Sequence, residues 1–375
     1  MRVVFLYMCK GNAGYRSNPP WNPSVVSKNS LVSKEWFLSE GIPNMLQRLL
    51  KQKVIDDVLV IVESARSPGR IDCPPFHGFV VPEISQADQF IKKGDILFVR
   101  GGFRSWHDWL VEKQSKGHWT MLYAANTGRQ RWKWWDVILD DLRSNEYEMD
   151  IRGRFWVPWK KPTNPNVFYP TFEPIKYDLC IGASYIHDKK GQWRTVKALI
   201  EYKNLYGKDL NCVMPGARRH GTETNLMYNT IKKLNLKVYE PGMLDRNKLR
   251  SVYNQSKLFV HLGTSGQNDR GPLEAMACGT PIVIGSPKYH APLLYENDVV
   301  SSVPLDITDF KDLAVGFHII FPQCTDDRRK DVRKYYKKNS GMSNVILPQM
   351  KRLISVFKNN PTPNKEALIK EFIHA

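Results

Sequence analysis

The sequence is poor in cysteine and has no closely spaced cysteine pair. Its six cysteines are scattered over 375 residues without Cys-x-x-Cys spacing; they are Cys9, Cys73, Cys180, Cys212, Cys278 and Cys324. This pattern argues against a disulfide framework and indicates reduced core residues in a cytosolic protein. A chain of this length is expected to form two domains of ordinary size, each burying its core without disulfides.

Long apolar runs are also lacking. No segment approaches the roughly 18 consecutive apolar residues of a membrane span, and the apolar residues 1–9 are too few for a signal or transmembrane segment. The sequence therefore predicts a cytoplasmic protein, with a peripheral association at a membrane left open.

The sequence contains no Asp-x-Asp, a carboxylate pair suited to holding a divalent cation. Its nearest relative is the segment EYEMD at residues 146–150, which lies in a polar connector and is interpreted as a solvated acidic run. We therefore expect no metal site.

Acidic residues are few relative to basic ones. The chain has 55 Lys and Arg against 37 Asp and Glu, a net charge of +18, with +7 in residues 1–170 and +11 in residues 171–375. A fold does not require such a surplus, which reflects either solubility or an anionic partner. The candidate partners are a membrane leaflet, a polyanionic glycan and nucleic acid.

The most informative segment that is present is GPLEAMACGTPIVIG at residues 271–285. Pro272 suits the first position of a helix and Gly279 suits the left-handed residue that ends one, so a short helix is predicted between them. Residues 280–284 then read as a strand buried on both faces. Glu274 is the one acidic residue in an otherwise small and apolar helix, where it either complements the helix dipole or binds a ligand.

The residues before this helix favour the ligand. Residues 258–262 form an apolar strand, and a glycine-rich loop, residues 263–271, joins that strand to the Glu274 helix. A strand, a glycine turn and a helix start together present backbone N–H groups to an anion, so this is a predicted nucleotide-binding cradle.

With these motifs the chain resembles the family-4, or group 1, glycosyltransferases of the two-Rossmann GT-B type. Such enzymes place a strand ending in glycine, a Lys-Gly pair and a helix in succession, which correspond here to residues 177–184, Lys190-Gly191 and residues 195–202. A strand and glycine turn at residues 238–244 and a helix at residues 245–254 follow in the same order. The resemblance covers about residues 155–290 well, and the N-terminal part only in its order of strands and helices.

The resemblance implies a role for individual residues toward a nucleotide-sugar donor. Glu274 would hydrogen-bond the ribose hydroxyls, and Lys190 would meet the diphosphate as a point charge. Gly242 and Met243 would lie near the base. The donor, a UDP- or GDP-sugar, would be a co-substrate, and no separate cofactor is implied. The backbone at the helix start would face the phosphates through Gly271, Pro272 and Leu273.

Two residues depart from the family pattern. The family's first acidic residue should lie eight positions before Glu274, where this sequence has Gly266, and the adjacent Gln267 is the candidate neutral substitute. The usual phosphate-binding arginine is replaced by Ala183, so Arg194 is proposed to supply the second positive charge or else to be a solvated helix residue. Lys190, Arg194 and Glu274 are thus the predicted catalytic residues.

Strands and helices also alternate in the N-terminal half, which is typical of a doubly wound parallel sheet. Strands are predicted at residues 2–8, 57–63, 95–100, 120–125 and 136–139, with a helix at residues 43–52. The predicted fold is α/β, a GT-B pair of Rossmann-like domains facing each other across a cleft. Residues 1–165 would bind the acceptor and residues 166–343 the donor, and the final segment, residues 344–375, would pack back on the N-terminal domain.

Residues just after the parallel strands are the candidates for the acceptor side, because ligands bind at the carboxyl ends of such strands. They are Arg100, Gly101, Gly102, Asn126 and Thr127. No general base is assigned, since Arg100 stands where the family often has histidine and His107 and His118 read as surface or satisfied side chains. By the resemblance, the leaving diphosphate would accept the acceptor's proton.

Tryptophan is concentrated in the N-terminal half, because only Trp193 of the eleven tryptophans lies after residue 160. Tryptophan faces stack on sugars, bases or headgroups. Some of these side chains must belong to the core, but basic neighbours favour exposure of the Trp106/Trp109 pair and of the cluster at residues 131–135. Trp106 is therefore added to the acceptor side.

The leading hypothesis is a nucleotide-sugar-dependent glycosyltransferase, hexosyltransferase-like, retaining and independent of metal, acting on a glycan or lipid-linked glycan. The alternatives are transfer to modified DNA bases, suggested by the charge and the basic tryptophan cluster, and a non-catalytic nucleotide-sugar-binding protein, suggested by Gly266. Partners are thus the donor, the acceptor and, as an open alternative, an anionic membrane surface or DNA.

Overall fold

The structure is a computed structural model that describes residues 1–8, 34–63, 69–100, 106–124, 135–140, 147–171, 173–182, 185–186, 190–218, 221–263, 270–284 and 308–374. The strands are β1 (Arg2–Met8), β2 (Asp57–Glu63), β3 (Gly69–Cys73), β4 (Phe76–Val81), β5 (Ile96–Arg100), β6 (Trp119–Ala124), β7 (Val137–Asp140), β8 (Glu148–Met149), β9 (Phe155–Pro158), β10 (Tyr177–Ile181), β11 (Tyr185–Ile186), β12 (Cys212–Val213), β13 (Ala217–Arg218), β14 (Val238–Tyr239), β15 (Ser256–His261) and β16 (Ile282–Ile284).

The helices follow the same chain order. They are α1 (Lys34–Ser39), α2 (Gly41–Lys51), α3 (His107–Ser115), α4 (Gln192–Tyr206), α5 (Thr222–Lys233), α6 (Arg246–Asn254), α7 (Arg270–Ala277), α8 (Phe310–Ile320), α9 (Asp326–Ser340), α10 (Leu347–Asn359) and α11 (Lys365–Phe372). Short 3₁₀ turns lie at Ile84–Phe90 and Phe321–Gln323, and a π-helical turn at Met342–Ile346 leads into α10.

The chain divides into two units, one made of residues 1–160 and 346–375 and the other of residues 161–345. The first contains a nine-stranded sheet in the order β3-β4-β2-β1-β5-β6-β7-β9-β8. Among the described strands of this sheet, the inner ones pair in parallel, and β3 and β8 at the two edges pair antiparallel with β4 and β9. Strand order reverses at β1, between β2 and β5, which is the topological switch point of a doubly wound sheet.

The C-terminal segment of the chain completes the first unit. In α10 the Phe357 ring packs on Trp119 with centroids 4.5 Å apart, and Trp119 Nε1 donates to the carbonyl of Asn360 at 2.7 Å. Phe372 of α11 packs on Tyr147 and Phe155. The two helices therefore cover aromatic surface presented by β6 and β9.

The second unit contains a five-stranded parallel sheet in the order β14-β12-β10-β15-β16. Alternate strand residues enter two separate cores: Leu179 and Val260 pack with α4, α5 and α8, whereas Cys180 and Phe259 pack with α6, α7 and α9. Period-two alternation with helices covering both faces is what a doubly wound sheet requires. The switch point lies between β10 and β15. The predicted α/β class with parallel sheets in both halves is confirmed.

Several element boundaries differ from the sequence prediction, among them those of β10, α4 and α7. The strand predicted at residues 177–184 ends at Ile181, and Gly182 follows it. Helix α4 begins at Gln192, before the predicted Thr195, because Gly191 at a φ of 79° starts it. Helix α7 begins at Arg270, so Pro272 is not its first residue, although it still lies in the first turn, where its missing N–H has no helical acceptor. Gly279 does end that helix with a φ of 82°.

Candidate functional site

The carboxyl ends of β10 and β15 meet the start of α4 at the switch point of the second unit. Gly191 is left-handed, and a Cβ built on it would lie 2.2 Å from the carbonyl carbon of Leu262 and 2.7 Å from the amide nitrogen of Gly263. Only glycine allows this close approach of the two backbones. The predicted Lys-Gly pair therefore lies against the end of β15, where a ligand is expected in a doubly wound sheet.

Two basic residues, Lys190 and Arg194, lie close to Gly191 in the chain. Lys190 is half-buried directly before Gly191. Arg194, one turn into α4, is half-buried and directs Nη1 to the carbonyl oxygen of Leu262 at 3.5 Å. Arg194 is thus held at the end of β15, although sequence reasoning left open a solvated helix residue.

A single aromatic ring separates the end of β10 from the start of α7. A Cβ on Gly182 would fall 1.9 Å from the Phe259 ring, and one on Gly271 would fall 3.0 Å from the same ring. Phe259 is fully buried in β15. The two glycines allow the turn after β10 and the first turn of α7 to approach one another across this ring. Sequence reasoning did not single out Phe259.

Glu274 is 5% exposed in the second turn of α7, beyond the first turn in which the dipole interpretation placed it. Arg246 Nη1 donates to Glu274 Oε1 at 2.7 Å, and the hydroxyl of Tyr253 donates to Oε2 at 3.4 Å. Both donors belong to α6, whose N-cap Asp245 accepts from the Lys248 amide at 2.8 Å. Sequence reasoning found the carboxylate but missed both partners.

The base-side candidates lie in the turn between β14 and α6. Gly242 is left-handed at a φ of 73°, and its carbonyl accepts from the Gly216 amide at 2.9 Å. Met243 is half-buried beside it. The carbonyl of the preceding Tyr239 accepts from the Met214 amide at 2.8 Å. This turn is therefore anchored to the end of β12, and it leads directly into the helix that carries Arg246. Gly266 and Gln267 lie outside the described residues.

In the first unit, Arg100 ends β5 at the switch point. Its Nη1 donates to Glu40 Oε2 at 3.1 Å, and the Glu40 side chain is 3% exposed. Arg100 is thus the one acceptor-side candidate that the structure both describes and leaves partly exposed. Gly101, Gly102, Asn126 and Thr127 lie outside the described residues.

The expected exposure of Trp106, Trp109 and Trp135 is wrong. Trp106, Trp109 and Trp135 are 0%, 7% and 0% exposed, so Trp106 presents no face to an acceptor. Trp106 Nε1 donates to Glu63 Oε2 and Trp109 Nε1 to Asp88 Oδ1, each at 2.6 Å. Each ring is buried in the core while its one polar group binds a carboxylate. The rest of the cluster, residues 131–134, lies outside the described residues.

The acidic connector is also different from the prediction. Asp150 is not simply solvated, because Arg154 Nε donates to its Oδ2 at 2.7 Å and Trp156 Nε1 at 2.9 Å. Burial alone would raise the pKa of Asp150, but these hydrogen bonds outweigh it and lower the pKa to about 2. Within the described ranges, no group of three or more His, Cys, Asp or Glu is placed to hold a metal ion.

The four cysteines whose side chains the structure describes are free thiols, as their scattered spacing in the sequence predicts. Cys180, Cys212, Cys278 and Cys324 are unbridged, and burial raises the pKa of the Cys324 thiol to about 11 and those of the other three further. Across the parts of the chain that the structure describes, no helix is long and apolar enough to span a bilayer.

Comparison with known proteins supports the resemblance. Residues 176–312 match the family model for glycosyl transferases group 1. A search of curated proteins finds no match. Solved structures are similar over nearly the whole chain. A structure of OtsA has a TM-score of 0.63 at 10% identity, covering 95% of this chain and 99% of its own.

Two further solved structures are similar to this chain over nearly its whole length. Sucrose-phosphate synthase from Thermosynechococcus elongatus has a TM-score of 0.62 at 14% identity, covering 96% of this chain and 99% of its own. Anabaena HepE in complex with UDP and glucose has a TM-score of 0.63 at 13% identity, covering 95% and 99%. At such identities the likeness establishes the fold, which is GT-B.

Proposed function

We propose that this chain, a GT-B fold whose residues 176–312 match the glycosyl transferases group 1, transfers a sugar from a nucleoside diphosphate sugar to an acceptor. A UDP-sugar donor is favoured over a GDP-sugar, because similar structures are described with UDP, with UDP and glucose, and with UDP-2-fluoro glucose.

The observation that carries this proposal is the buried carboxylate of Glu274. A carboxylate in the helix that follows a glycine-rich loop, at the edge of a doubly wound sheet, suits ribose hydroxyls, which donate to it. Arg246 and Tyr253 hold this carboxylate in place, and one carboxylate group accepts several hydrogen bonds at once. Glu274 would therefore bind the ribose while remaining held by α6.

The diphosphate would be met by positive charge and helix N–H groups. Lys190 lies at the start of α4, and the first-turn amides of this helix have no helical acceptors. Arg194 would add a second cation beside the end of β15. These groups would stabilise the charge that develops on the leaving diphosphate, and such preorganised electrostatic stabilisation can dominate catalysis.

We further propose a retaining, metal-independent reaction on a glycan or lipid-linked glycan. Retention is supported by analogy, since a similar structure concerns glycosyl transfer with retention by trehalose-6-phosphate synthase. The lack of Asp-x-Asp supports metal independence. The net charge of +18 supports an anionic acceptor or a peripheral position on an anionic membrane.

Donor binding and transfer test the proposal. Thermal unfolding is followed with UDP-, GDP- and ADP-sugars, because ligand binding raises the apparent stability. Donor hydrolysis without acceptor is then measured for the wild type, Lys190→Ala and Glu274→Gln. We expect a loss of about 100-fold or more in Lys190→Ala, the size seen when one charge-stabilising donor is removed. In Glu274→Gln we expect a loss of about 10-fold or more, because charge-assisted hydrogen bonds to the ribose are removed.

Lys203→Ala is the matched control, because Lys203 lies near the other end of α4 and pairs with Asp209. It should retain wild-type hydrolysis. Full activity in both test variants, or no stabilisation by any donor, contradicts the proposal. Donor binding without turnover would indicate a binding protein instead, and salt-sensitive duplex binding would favour DNA as the acceptor.

A further inference from the structure

We propose that Arg246 is a positioning residue that fixes the Glu274 carboxylate for ribose recognition and couples it to the base-side turn. The proposal rests on the function proposed above. Arg246 would not touch the ribose itself. It would act by holding Glu274 in the orientation that the two ribose hydroxyls require.

The geometry is that of a buried ion pair between two helices. Arg246 and Glu274 have side chains 8% and 7% exposed, and Arg246 Nη1 lies 2.7 Å from Glu274 Oε1. The guanidinium lies over the Phe168 ring, 5.8 Å from its centroid, and Phe168 is 1% exposed. Buried pairs contribute little net stability, because desolvation opposes attraction, but they fix geometry. A pair at this position therefore suits orientation better than stability.

Arg246 also lies at the correct point of the chain to couple two parts of the site. It is the first residue of α6, directly after the turn that contains Gly242 and Met243. Its guanidinium reaches α7, which carries Glu274. Base-side contacts and the ribose carboxylate are thus joined through one side chain. Tyr253, the second donor to Glu274, lies further along the same helix and is buried.

The test compares UDP with 2′,3′-dideoxy-UDP, which lacks both hydroxyls, by calorimetric titration. Hydrogen bonds to charged groups contribute about 1.5–3 kcal/mol, so wild type should prefer UDP by about 10-fold or more. Arg246→Met removes the charge but keeps a long apolar side chain over Phe168. We expect the preference for UDP to fall at least 3-fold in this variant, and binding of the dideoxy analogue to change less.

Arg250→Met is the matched control on the same helix. Arg250 lies one turn further on and stacks over Tyr169 at 4.5 Å. Arg250→Met should leave the ratio of the two dissociation constants, for UDP and for 2′,3′-dideoxy-UDP, at the wild-type value. If the role of Arg246 were purely structural, its loss would weaken the binding of both ligands equally. An unchanged ratio of the two dissociation constants in Arg246→Met therefore overturns the inference. If Arg246→Met does not fold, the same ratio is measured for Arg246→Gln, and the same outcome overturns the inference.

Glu274→Gln separates this inference from the function on which it rests. If Glu274→Gln lowers the ratio and Arg246→Met does not, only the positioning role is wrong. If wild type binds none of UDP, GDP and ADP, or if Glu274→Gln leaves the ratio unchanged for the one that binds, the ribose role of Glu274 is wrong and the inference is overturned with it.

Discussion

The close contact of Gly191 with the end of β15 can be tested by Gly191→Ala, with Gly207→Ala as its control. Both glycines are left-handed and flank α4, with φ of 79° and 62°. A Cβ on Gly207 meets nothing within 4 Å, whereas one on Gly191 would lie 2.3 Å from the carbonyl oxygen of Leu262. The two substitutions therefore share the conformational cost and differ in the steric one.

The magnitudes follow from these two contributions. A left-handed alanine costs about 1–2 kcal/mol, so Gly207→Ala should lower the free energy of unfolding by that amount. In Gly191→Ala the backbone must also move, as in overpacked cores, which adds about 1–3 kcal/mol. We therefore expect a total of about 2–5 kcal/mol, together with weaker binding of donor nucleotides.

Fluorine NMR of fluorotryptophan-labelled protein in urea provides the assay. Trp193 is the one tryptophan of the sequence after residue 160, so its resonance reports the unfolding of the 161–345 unit alone. Trp193→Phe assigns that resonance. If Gly191→Ala costs no more than Gly207→Ala, the backbones of α4 and β15 are not in contact, and the phosphate site built on that contact is wrong.

Two further predictions concern the first unit. Asp150→Asn should lower the free energy of unfolding of this unit by about 2 kcal/mol at pH 7. The reason is that the lowered pKa of Asp150 contributes stability above about pH 4, and this stability is lost as the pH falls toward 2. Urea denaturation at pH 7 and at pH 2 measures the difference, and an equal effect of the substitution at both pH values would contradict the prediction. Trp106→Phe should lower the free energy of unfolding by about 1.5–3 kcal/mol, because it removes the hydrogen bond to the buried Glu63. The KM for the acceptor should stay at its wild-type value. A raised KM without loss of stability would show that Trp106 contacts the acceptor after all.

Central parallel strands were predictable from sequence. Strands β1 and β2 have the bounds expected for residues 2–8 and 57–63, and β5 and β6 are shifted by a residue. Such strands are buried on both faces, so each is a continuous apolar run that stands out against its neighbours. The antiparallel edge strands β3 and β8, which carry polar residues, were not predicted, and neither were their neighbours β4 and β9, which pair in parallel with β2 and β7.

The tryptophan error has a different cause. Basic neighbours do not indicate an exposed ring here, because Lys113 is itself 4% exposed, pairs with Asp88 and lies over the Trp109 ring at 5.4 Å. A long basic side chain can pack along an aromatic ring while its charge is neutralised elsewhere. Composition alone does not distinguish this arrangement from a basic aromatic surface.

The candidate site was predictable only as single residues. Glu274 could be named from its local motif of strand, turn and helix, and Lys190 and Gly242 could be named from the resemblance to the glycosyltransferase family. The pairing of Glu274 with Arg246 joins residues 28 positions apart through the packing of α6 on α7. Sequence spacing within one helix predicts neighbours three or four residues apart, but it does not predict contacts between helices.

The return of α10 to the first unit orders events on the ribosome. The 161–345 unit is continuous, so it can fold as soon as it emerges, whereas the surface around Trp119 stays uncovered until Phe357 and Asn360 have been translated. During that interval the nascent N-terminal half exposes aromatic surface. Exposed apolar surface of this kind binds chaperones and promotes aggregation. The second unit can therefore be complete while part of the first unit is still uncovered.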